Sequence, residues 1–212
     1  MTKRLFYFLG WTLLIVVNIY FVYNFPLQHF NYKAWSGPFG PLLTVHIIFG
    51  TIAILIGPFQ FFPSIRKKYL HIHRLTGRLY LLSVLIAAIV AIILAIMHNI
   101  IVERRIVFGT GLLGLAVAWL LTSGMAFWAI KNRNYVQHRE WMIKSYVVTC
   151  GFTTFRIFAV TLSSFIQLDY TKEMSGIMAW ACWSVPLLVT EVLLQSKKIK
   201  KSIGLTKSQP LT

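Results

Sequence analysis

The sequence predicts an all-α fold, a polytopic transmembrane bundle of six helices. Of its 212 residues, 57% are hydrophobic and 12% are charged, and the mean hydropathy is +0.69. A water-soluble domain of this size cannot bury so much apolar surface in one core. The apolar residues also fall into six stretches of about twenty residues, which is the length that a helix needs to cross a bilayer.

Each of these stretches is predicted to form one helix. The first follows Lys3 and Arg4, as a secretory signal would, but it lacks small residues at a cleavage site, so we predict a retained helix. Residues 1–196 are expected to form a single transmembrane domain, and residues 197–212 a basic, disordered cytoplasmic tail. The predicted helices cover residues 5–24, 41–62, 75–97, 106–130, 141–166 and 174–195.

Basic residues in the connecting segments predict the orientation of the bundle. With the N-terminus in the cytoplasm, sixteen of the 21 lysines and arginines lie in inner segments and four in outer segments. Lysine and arginine are retained on the cytoplasmic side, so both termini are expected there. The net charge of +16 is then explained by short segments that face anionic lipid headgroups, which argues against nucleic acid as a partner.

A weak internal repeat relates two of the predicted hairpins. After the second helix come Tyr69, His73, Arg74, Arg78 and Tyr80. A similar order follows the fourth helix, where the residues are Tyr135, His138, Arg139, Lys144 and Tyr146. We therefore expect helices two and three to be related to helices four and five as duplicated hairpins, which form a four-helix core with the first and last helices outside. The alternative is a chance match of short strings.

The second predicted helix carries a histidine on a face of small residues. His46, Gly50, Ala53 and Gly57 are spaced by four, three and four residues, which puts them on one side of an α-helix. Small residues mark close helix packing in lipid, so His46 is expected to point into the bundle. Its role is either a hydrogen bond to a neighbouring helix or the ligation of a metal or haem.

The fifth predicted helix has a polar stripe that includes an arginine deep in the membrane. Arg156 lies about ten residues, or about 15 Å, from the outer helix end, so it needs an acceptor or an anionic ligand. Glu191 lies nearer the cytoplasmic end of the last helix, and a direct contact with Arg156 is not expected. The stripe consists of Ser145, Thr149, Thr153 and Arg156.

Histidines and arginines at the cytoplasmic mouths of two helices form a second candidate site. Imidazole ligates metals, and guanidinium groups hold carboxylates or phosphates. His73 and His138 lie on different helices and are the minimum ligand set for a six-coordinate b-type haem, whose propionates suit the arginines. The alternative is that the cluster only follows the orientation rule and binds lipid headgroups. The candidate residues are His73, Arg74, Arg78, His138, Arg139 and Lys144.

Several strings in the sequence resemble a family of bacterial membrane proteins. The strings are GPFQF at residues 57–61, HIHRLTGRLY at 71–80 and HREWMIKSY at 138–146, together with His46 and Arg156. They resemble domain-of-unknown-function family 2306 over roughly helices two to six. This resemblance implies a multi-pass protein of the bacterial cytoplasmic membrane and names no reaction. The paired histidines are also similar to those of transmembrane b-type cytochromes, but the fourth helix has no histidine to complete a two-haem ligand set.

We expect a redox membrane protein that binds one haem or a quinone-like cofactor through His73 and His138, or through His46 on the opposite side. A redox partner or a second copy of the chain would complete the function. One alternative is a membrane enzyme whose His-Arg pairs hold an anionic or phosphorylated lipid while an imidazole transfers protons. Another is a non-catalytic transporter or assembly subunit, in which Arg156 lines the path. The sequence has no nucleophile-base-acid arrangement and no phosphate-binding glycine loop.

Overall fold

A computed structural model describes residues 2–24, 37–164 and 171–207, and the regular structure in these ranges is helical. A 3-10 turn, Gly57–Gln60, follows the second helix, and a π-helix, Leu94–Val102, continues the fourth. The helices are α1 Thr2–Val22, α2 Gly40–Ile56, α3 Pro63–Lys68, α4 Leu70–Ile93, α5 Ile106–Lys131, α6 Tyr135–Thr149, α7 Gly151–Ser164 and α8 Lys172–Lys207.

The described residues contain four or five candidate membrane spans. Four helical segments are long and apolar enough by themselves, namely Gly40–Gln60, Leu70–Val102, Ile106–Lys131 and Lys172–Lys200. A fifth span results if α6 and α7, which meet at an angle of 42°, are counted together. The apolar part of α1, Gly10–Val22, is shorter than these segments. The structure therefore supports a multi-pass helical membrane protein, while the count of six and the duplicated hairpins stay predictions.

The outer surface of α4 shows how the bundle meets lipid. Leu75, Leu79, Leu82, Leu85 and Ile89 are all exposed large hydrophobic side chains on this helix. They recur at spacings of three and four residues, so they form one stripe along the helix. An apolar stripe of this length is costly in water and stable against acyl chains, which agrees with a span through the bilayer.

The straight fifth helix expected over residues 141–166 is a bent pair in the structure. Two threonine hydroxyls donate back to their own helix at the bend: Thr149 to the Ser145 carbonyl (2.9 Å) and Thr154 to the Cys150 carbonyl (3.1 Å). Such bonds compete with the backbone ladder and bend helices. Gly151 follows directly and is buried, and a Cβ there would lie 3.0 Å from the Leu115 side chain.

The last helix is longer than the sequence predicts. We expected disorder from Lys197 onward, but α8 continues as a helix to Lys207, and residues 208–212 lie outside the described ranges. Lysine is a good helix former, and a salt bridge of 2.6 Å joins Lys198 to Glu140 of α6. The expectation of a separate tail beginning at residue 197 stays a prediction about domain organisation.

Successive long helices alternate in direction, which gives the bundle two distinct ends. One end holds the connection between α2 and α4, the turn between α5 and α6, and residues 197–207 of α8. We call it the basic end, because its lysines and arginines include Arg66, Lys67, Lys131, Arg133 and Lys198. The opposite end holds residues 37–39 and the turn at residues 103–105.

A buried network of hydroxyl groups joins three helices in the middle of the bundle. The Tyr80 hydroxyl on α4 lies 2.8 Å from both Ser145 Oγ and Thr149 Oγ1 on α6. From α5, Trp119 donates to Thr149 Oγ1 (2.8 Å), and Ser123 Oγ lies 2.7 Å from Ser145 Oγ. All five side chains are buried. This network therefore fixes the register of α4, α5 and α6 relative to one another.

Two of the small residues predicted to share a face with His46, Ala53 and Gly57, pack closely against neighbouring helices. Ala53 is fully buried, and a Cβ on Gly57 would come within 2.2 Å of the Tyr146 ring. The Tyr146 hydroxyl in turn donates to the Ile54 carbonyl of α2 (3.1 Å). Glycine at position 57 is therefore required for the approach of α2 to α6.

Removal of the Tyr80 hydroxyl tests the network. Tyr80→Phe leaves the ring in place and deprives Ser145 and Thr149 of a shared partner, so we expect a loss of about 1–2 kcal/mol in unfolding free energy. Thermal unfolding in detergent measures the change. Tyr135→Phe is the matched control, because Tyr135 is 67% exposed and should be neutral. Equal stability of the two variants would contradict the role given to the network.

Candidate functional site

The structure brings His73 and His138 to the basic end on facing helices. His73 lies seven residues before Tyr80 on α4, and His138 lies seven residues before Ser145 on α6. Seven residues are about two helical turns, or about 10 Å. Because Tyr80 and Ser145 are hydrogen-bonded, both imidazoles lie on the sides of their helices that face each other. Both are partly buried, and His138 is near enough to act electrostatically on His73.

The ring of His138 is held by a backbone carbonyl. Its Nδ1 lies 2.8 Å from the carbonyl oxygen of Ala126 on α5. A carbonyl oxygen can only accept, so Nδ1 carries the hydrogen and donates it. The lone pair of the neutral ring is then on Nε2, which is the arrangement found in histidines that bind a metal or accept a proton.

His73 is held by a buried glutamine from the turn after α2. The end of the Gln60 side chain lies against His73, Thr76 and Gly77 on the first turns of α4. Gly77 permits this approach, since a Cβ there would lie 3.0 Å from the end of the Gln60 amide. Gln60 therefore links the turn after α2 directly to the candidate site.

Three exposed arginines lie on the same helices as the two histidines, at the basic end. Arg74 and Arg78 on α4 and Arg139 on α6 are all exposed at the basic end. Arg74 also acts electrostatically on His73, as does Arg66 of α3. His73, His138 and Arg74 therefore lie near one another, while a common cluster with Arg78 and Arg139 and the binding role of all these residues stay predictions.

Lys144, which the sequence placed in the same cluster, is committed to a different contact. Its ammonium group lies 2.6 Å from Glu191 of α8 and 4.1 Å from the centre of the Trp141 ring. Glu191 also accepts a hydrogen bond from Gln195 (2.7 Å). The charge of Lys144 is thereby used to hold α8 against α6 and is not presented beside His138.

His46 lies in the other half of the bundle. Its Nδ1 is 3.0 Å from the carbonyl oxygen of Ala87 on α4, so it points to a neighbouring helix as its spacing predicted. Ala87 is fourteen residues beyond His73, which is about 21 Å along the helix. Beside the ring, no heavy atom lies within 4 Å of the position that a Cβ on Gly50 would take. His46 therefore cannot share one ligand with the histidines of the basic end.

Arg156 lies on α7 beside aromatic side chains. Its guanidinium carbon is 5.4 Å from the centre of the Phe152 ring and 5.9 Å from that of Phe155, within the range of cation–π attraction. One turn earlier, the buried Thr153 donates to Asn18 Oδ1 of α1 (2.5 Å). The polar stripe of this span is thus interior, as predicted, and its threonines are used in helix contacts.

Metal ligation would rest on few side chains. Within the described ranges, no three or more His, Cys, Asp and Glu side chains come together as a ligand group.

Two contacts of the site were not predicted from the sequence, those of Gln60 with His73 and of Ala126 with His138. The only signal of the first was a polar residue inside the apolar GPFQF string, and a backbone carbonyl leaves no signal at all.

Comparison with known proteins identifies a family. No curated protein and no solved structure matches the chain. The family model of DUF2306, described as a predicted membrane protein, matches residues 43–194. This match covers most of the chain, from the first turn of α2 into α8, and includes His46, His73, His138 and Arg156. The chain therefore belongs to DUF2306, the family that its sequence strings resemble.

Proposed function

We propose that this protein is a redox membrane protein that binds a cofactor between His73 and His138 at the basic end. The observation that carries the proposal is the convergence of two imidazoles from α4 and α6, one of which presents an Nε2 lone pair. Both cofactor classes expected from the sequence can bind through imidazole, since a b-type haem takes an imidazole nitrogen as an iron ligand and a quinone oxygen can accept a hydrogen bond from a ring N–H.

The chemistry around the pair supports a redox role. Imidazole takes up and releases protons near neutral pH, which electron transfer to organic cofactors requires. Arg74, Arg78 and Arg139 are exposed beside the pair and suit the anionic or carbonyl oxygens of a bound group. Electrons would be exchanged with a separate redox partner or with a second copy of the chain.

The basic end is proposed to face the cytoplasm of a bacterium. Basic residues are retained on the cytoplasmic side of the membrane, and both the turn after α5 and the end of α8 are rich in them. In this orientation the His73–His138 site is open to the cytoplasm, and His46 lies in the outer half of the bilayer.

A second candidate function is the binding or conversion of an anionic lipid. It is favoured by the exposure of Arg74, Arg78 and Arg139 at one end of a membrane bundle, where phosphate headgroups are in reach. In this function the histidines would transfer protons to or from a headgroup held by the arginines.

Cofactor content tests the redox proposal. Protein purified in mild detergent is expected to carry a haem or a quinone, detected by its absorption spectrum, metal analysis and solvent extraction. His73→Ala and His138→Ala each remove one polar contact and should lower occupancy about tenfold or more. His71→Ala is the matched control, because His71 is an exposed histidine two residues from His73. Wild-type protein without haem, metal or quinone would refute the proposal.

Lipid content tests the second candidate. Arg74→Ala combined with Arg139→Ala should reduce co-purifying anionic lipid by about 30-fold, since each basic residue near the headgroups contributes about 1 kcal/mol. Phosphorus analysis with mass spectrometry measures the change. Lys67→Ala removes an exposed charge from the same end and serves as the control. A loss in Lys67→Ala as large as that in either arginine variant alone would indicate non-specific headgroup attraction and count against this candidate.

Cysteine labelling tests the orientation. Glu103→Cys lies at the opposite end and Lys131→Cys at the basic end, and both positions are exposed. A membrane-impermeant maleimide is expected to label Cys at 103 in intact cells and Cys at 131 only after permeabilisation. The reverse pattern would invert the proposed topology.

A further inference from the structure

We infer that Gln60 gives His73 the hydrogen-bonding role opposite to that of His138, so that the site selects a quinone or quinol over a haem. This inference rests on the proposed redox function and names its cofactor class. It depends on three features of the basic end: the orientation of the Gln60 amide, the ring nitrogen that each histidine leaves free, and what each cofactor requires of those nitrogens.

The orientation of the Gln60 amide follows from two neighbours with fixed roles. The His73 carbonyl can only accept, and the Gly77 N–H can only donate. Both are satisfied when the amide nitrogen faces His73 and the amide oxygen faces Gly77. The nitrogen then donates to the His73 carbonyl and to His73 Nδ1, both at 3.2 Å, and the oxygen accepts from Gly77 N (3.3 Å). The oxygen also accepts from the Thr76 hydroxyl (2.8 Å), whose one hydrogen turns to Gln60 from the Ile72 carbonyl.

The reverse orientation is unfavourable at this buried position. It would place the amide oxygen against the His73 carbonyl oxygen and the amide nitrogen against the Gly77 N–H. Gln60 is only 7% exposed, so water cannot compensate for two mismatched pairs. In that orientation the amide nitrogen keeps a bond to Thr76 Oγ1 (2.8 Å), but both fixed-role neighbours are mismatched, so we assign the first orientation.

The fixed amide decides which nitrogen of His73 carries hydrogen. Because His73 Nδ1 accepts from Gln60, the hydrogen of the neutral ring is on Nε2. His138 is the opposite case, since its Nδ1 donates to Ala126 and its Nε2 keeps the lone pair. The pair therefore offers one N–H donor, from His73, and one acceptor, from His138.

A b-type haem with two axial histidines does not fit this arrangement. Each axial imidazole needs an unprotonated nitrogen on the iron side, with its other nitrogen donating to a second group. His138 meets this condition through Nε2, whereas His73 has its hydrogen on Nε2 and its Nδ1 lone pair turned to Gln60. Haem ligation by both rings would require the buried amide to turn over.

A quinone and its reduced form do fit. A quinone carbonyl oxygen accepts a hydrogen bond, as from His73 Nε2–H, and a quinol hydroxyl donates one, as to His138 Nε2. One donor and one acceptor thus match the two oxidation states of a single ligand oxygen or the two oxygens of one ring. Two donors or two acceptors would favour one of the forms.

Histidine nitrogen spectra of the cofactor-free protein test the roles directly. In bilayers containing ¹⁵N-histidine protein, neutral His73 is expected to carry its hydrogen on Nε2 and neutral His138 on Nδ1. Assignment comes from the signals lost in His73→Asn and His138→Asn. The same tautomer at both residues would overturn the inference, whatever cofactor the protein binds.

Gln60→Glu tests the link to the ligand. A carboxylate can only accept, so at a pH at which Glu at this position is ionised the hydrogen of His73 should move to Nδ1. The site then has lost its donor, and affinity for a short-chain benzoquinone should fall about tenfold, the equivalent of one hydrogen bond of about 1.4 kcal/mol. Gln137→Glu is the matched control, because it adds the same charge beside His138 without touching His73.

The outcomes separate this inference from the proposed function. A tenfold loss in Gln60→Glu, none in Gln137→Glu, and opposite tautomers in the wild type support both. Wild-type protein with haem ligated by His73 and His138 would overturn the choice of quinone and leave the redox function standing. Opposite tautomers with no binding of quinone or haem would remove the proposed redox function and, with it, the named ligand.

Discussion

The hydroxyl network around Tyr80 is the contact on which the geometry of the basic end depends. Helices in lipid gain little from hydrophobic burial against one another, so buried hydrogen bonds and close packing decide their register. Tyr80 reaches from α4 to two residues of α6, and Trp119 and Ser123 reach the same residues from α5. A shift of α4 by one residue would turn Tyr80 by about 100° and break these bonds. The facing positions of His73 and His138 follow from the same register.

The middle of the α4–α6 contact and its basic end have different roles. In the middle, hydroxyl groups form hydrogen bonds with one another, so they offer few free donors or acceptors to a ligand. At the basic end, each imidazole is held through Nδ1 by a group from the neighbouring part of its own hairpin, Gln60 in one case and Ala126 in the other. Nε2 of each ring is thereby left for a ligand. Rings fixed in this way need less reorganisation on binding than freely rotating ones.

The sequence predicted the fold best where apolar stretches are bounded by charge. The helix expected over residues 106–130 is found at Ile106–Lys131, because Arg105 and Lys131 delimit it. A hydropathy profile detects only the apolar part of a helix and not its polar ends. The polar beginning of α6 and the polar end of α8 were therefore missed. The bend at Cys150 was missed because it depends on threonine hydroxyls bonding to their own backbone, which a hydropathy profile does not register.

Prediction of the site was limited by contacts that composition does not encode. Residue spacing correctly predicted that His46 points to a neighbouring helix and that His73 lies near His138. Spacing also placed Lys144 in the cluster, which the structure contradicts. The salt bridge of Lys144 with Glu191 could not be foreseen, because it joins two helices whose relative register is not encoded in the spacing. Whether a histidine can ligate or donate depends on the partner of its other nitrogen. That partner is a backbone atom for His138 and an amide whose orientation matters for His73.

The length of α8 fixes the depth of the site. With 36 residues, the helix is about 54 Å long, whereas the hydrocarbon core is about 30 Å thick, so its lysine-rich end must reach past the acyl chains. Lys198 on this end is paired with Glu140, two residues from His138. The imidazole pair lies near this lysine-rich end of α8. A molecule with a polar ring and an apolar tail could enter laterally from the bilayer while its tail stays among the acyl chains. A water-soluble electron carrier could reach the same ring from the aqueous side.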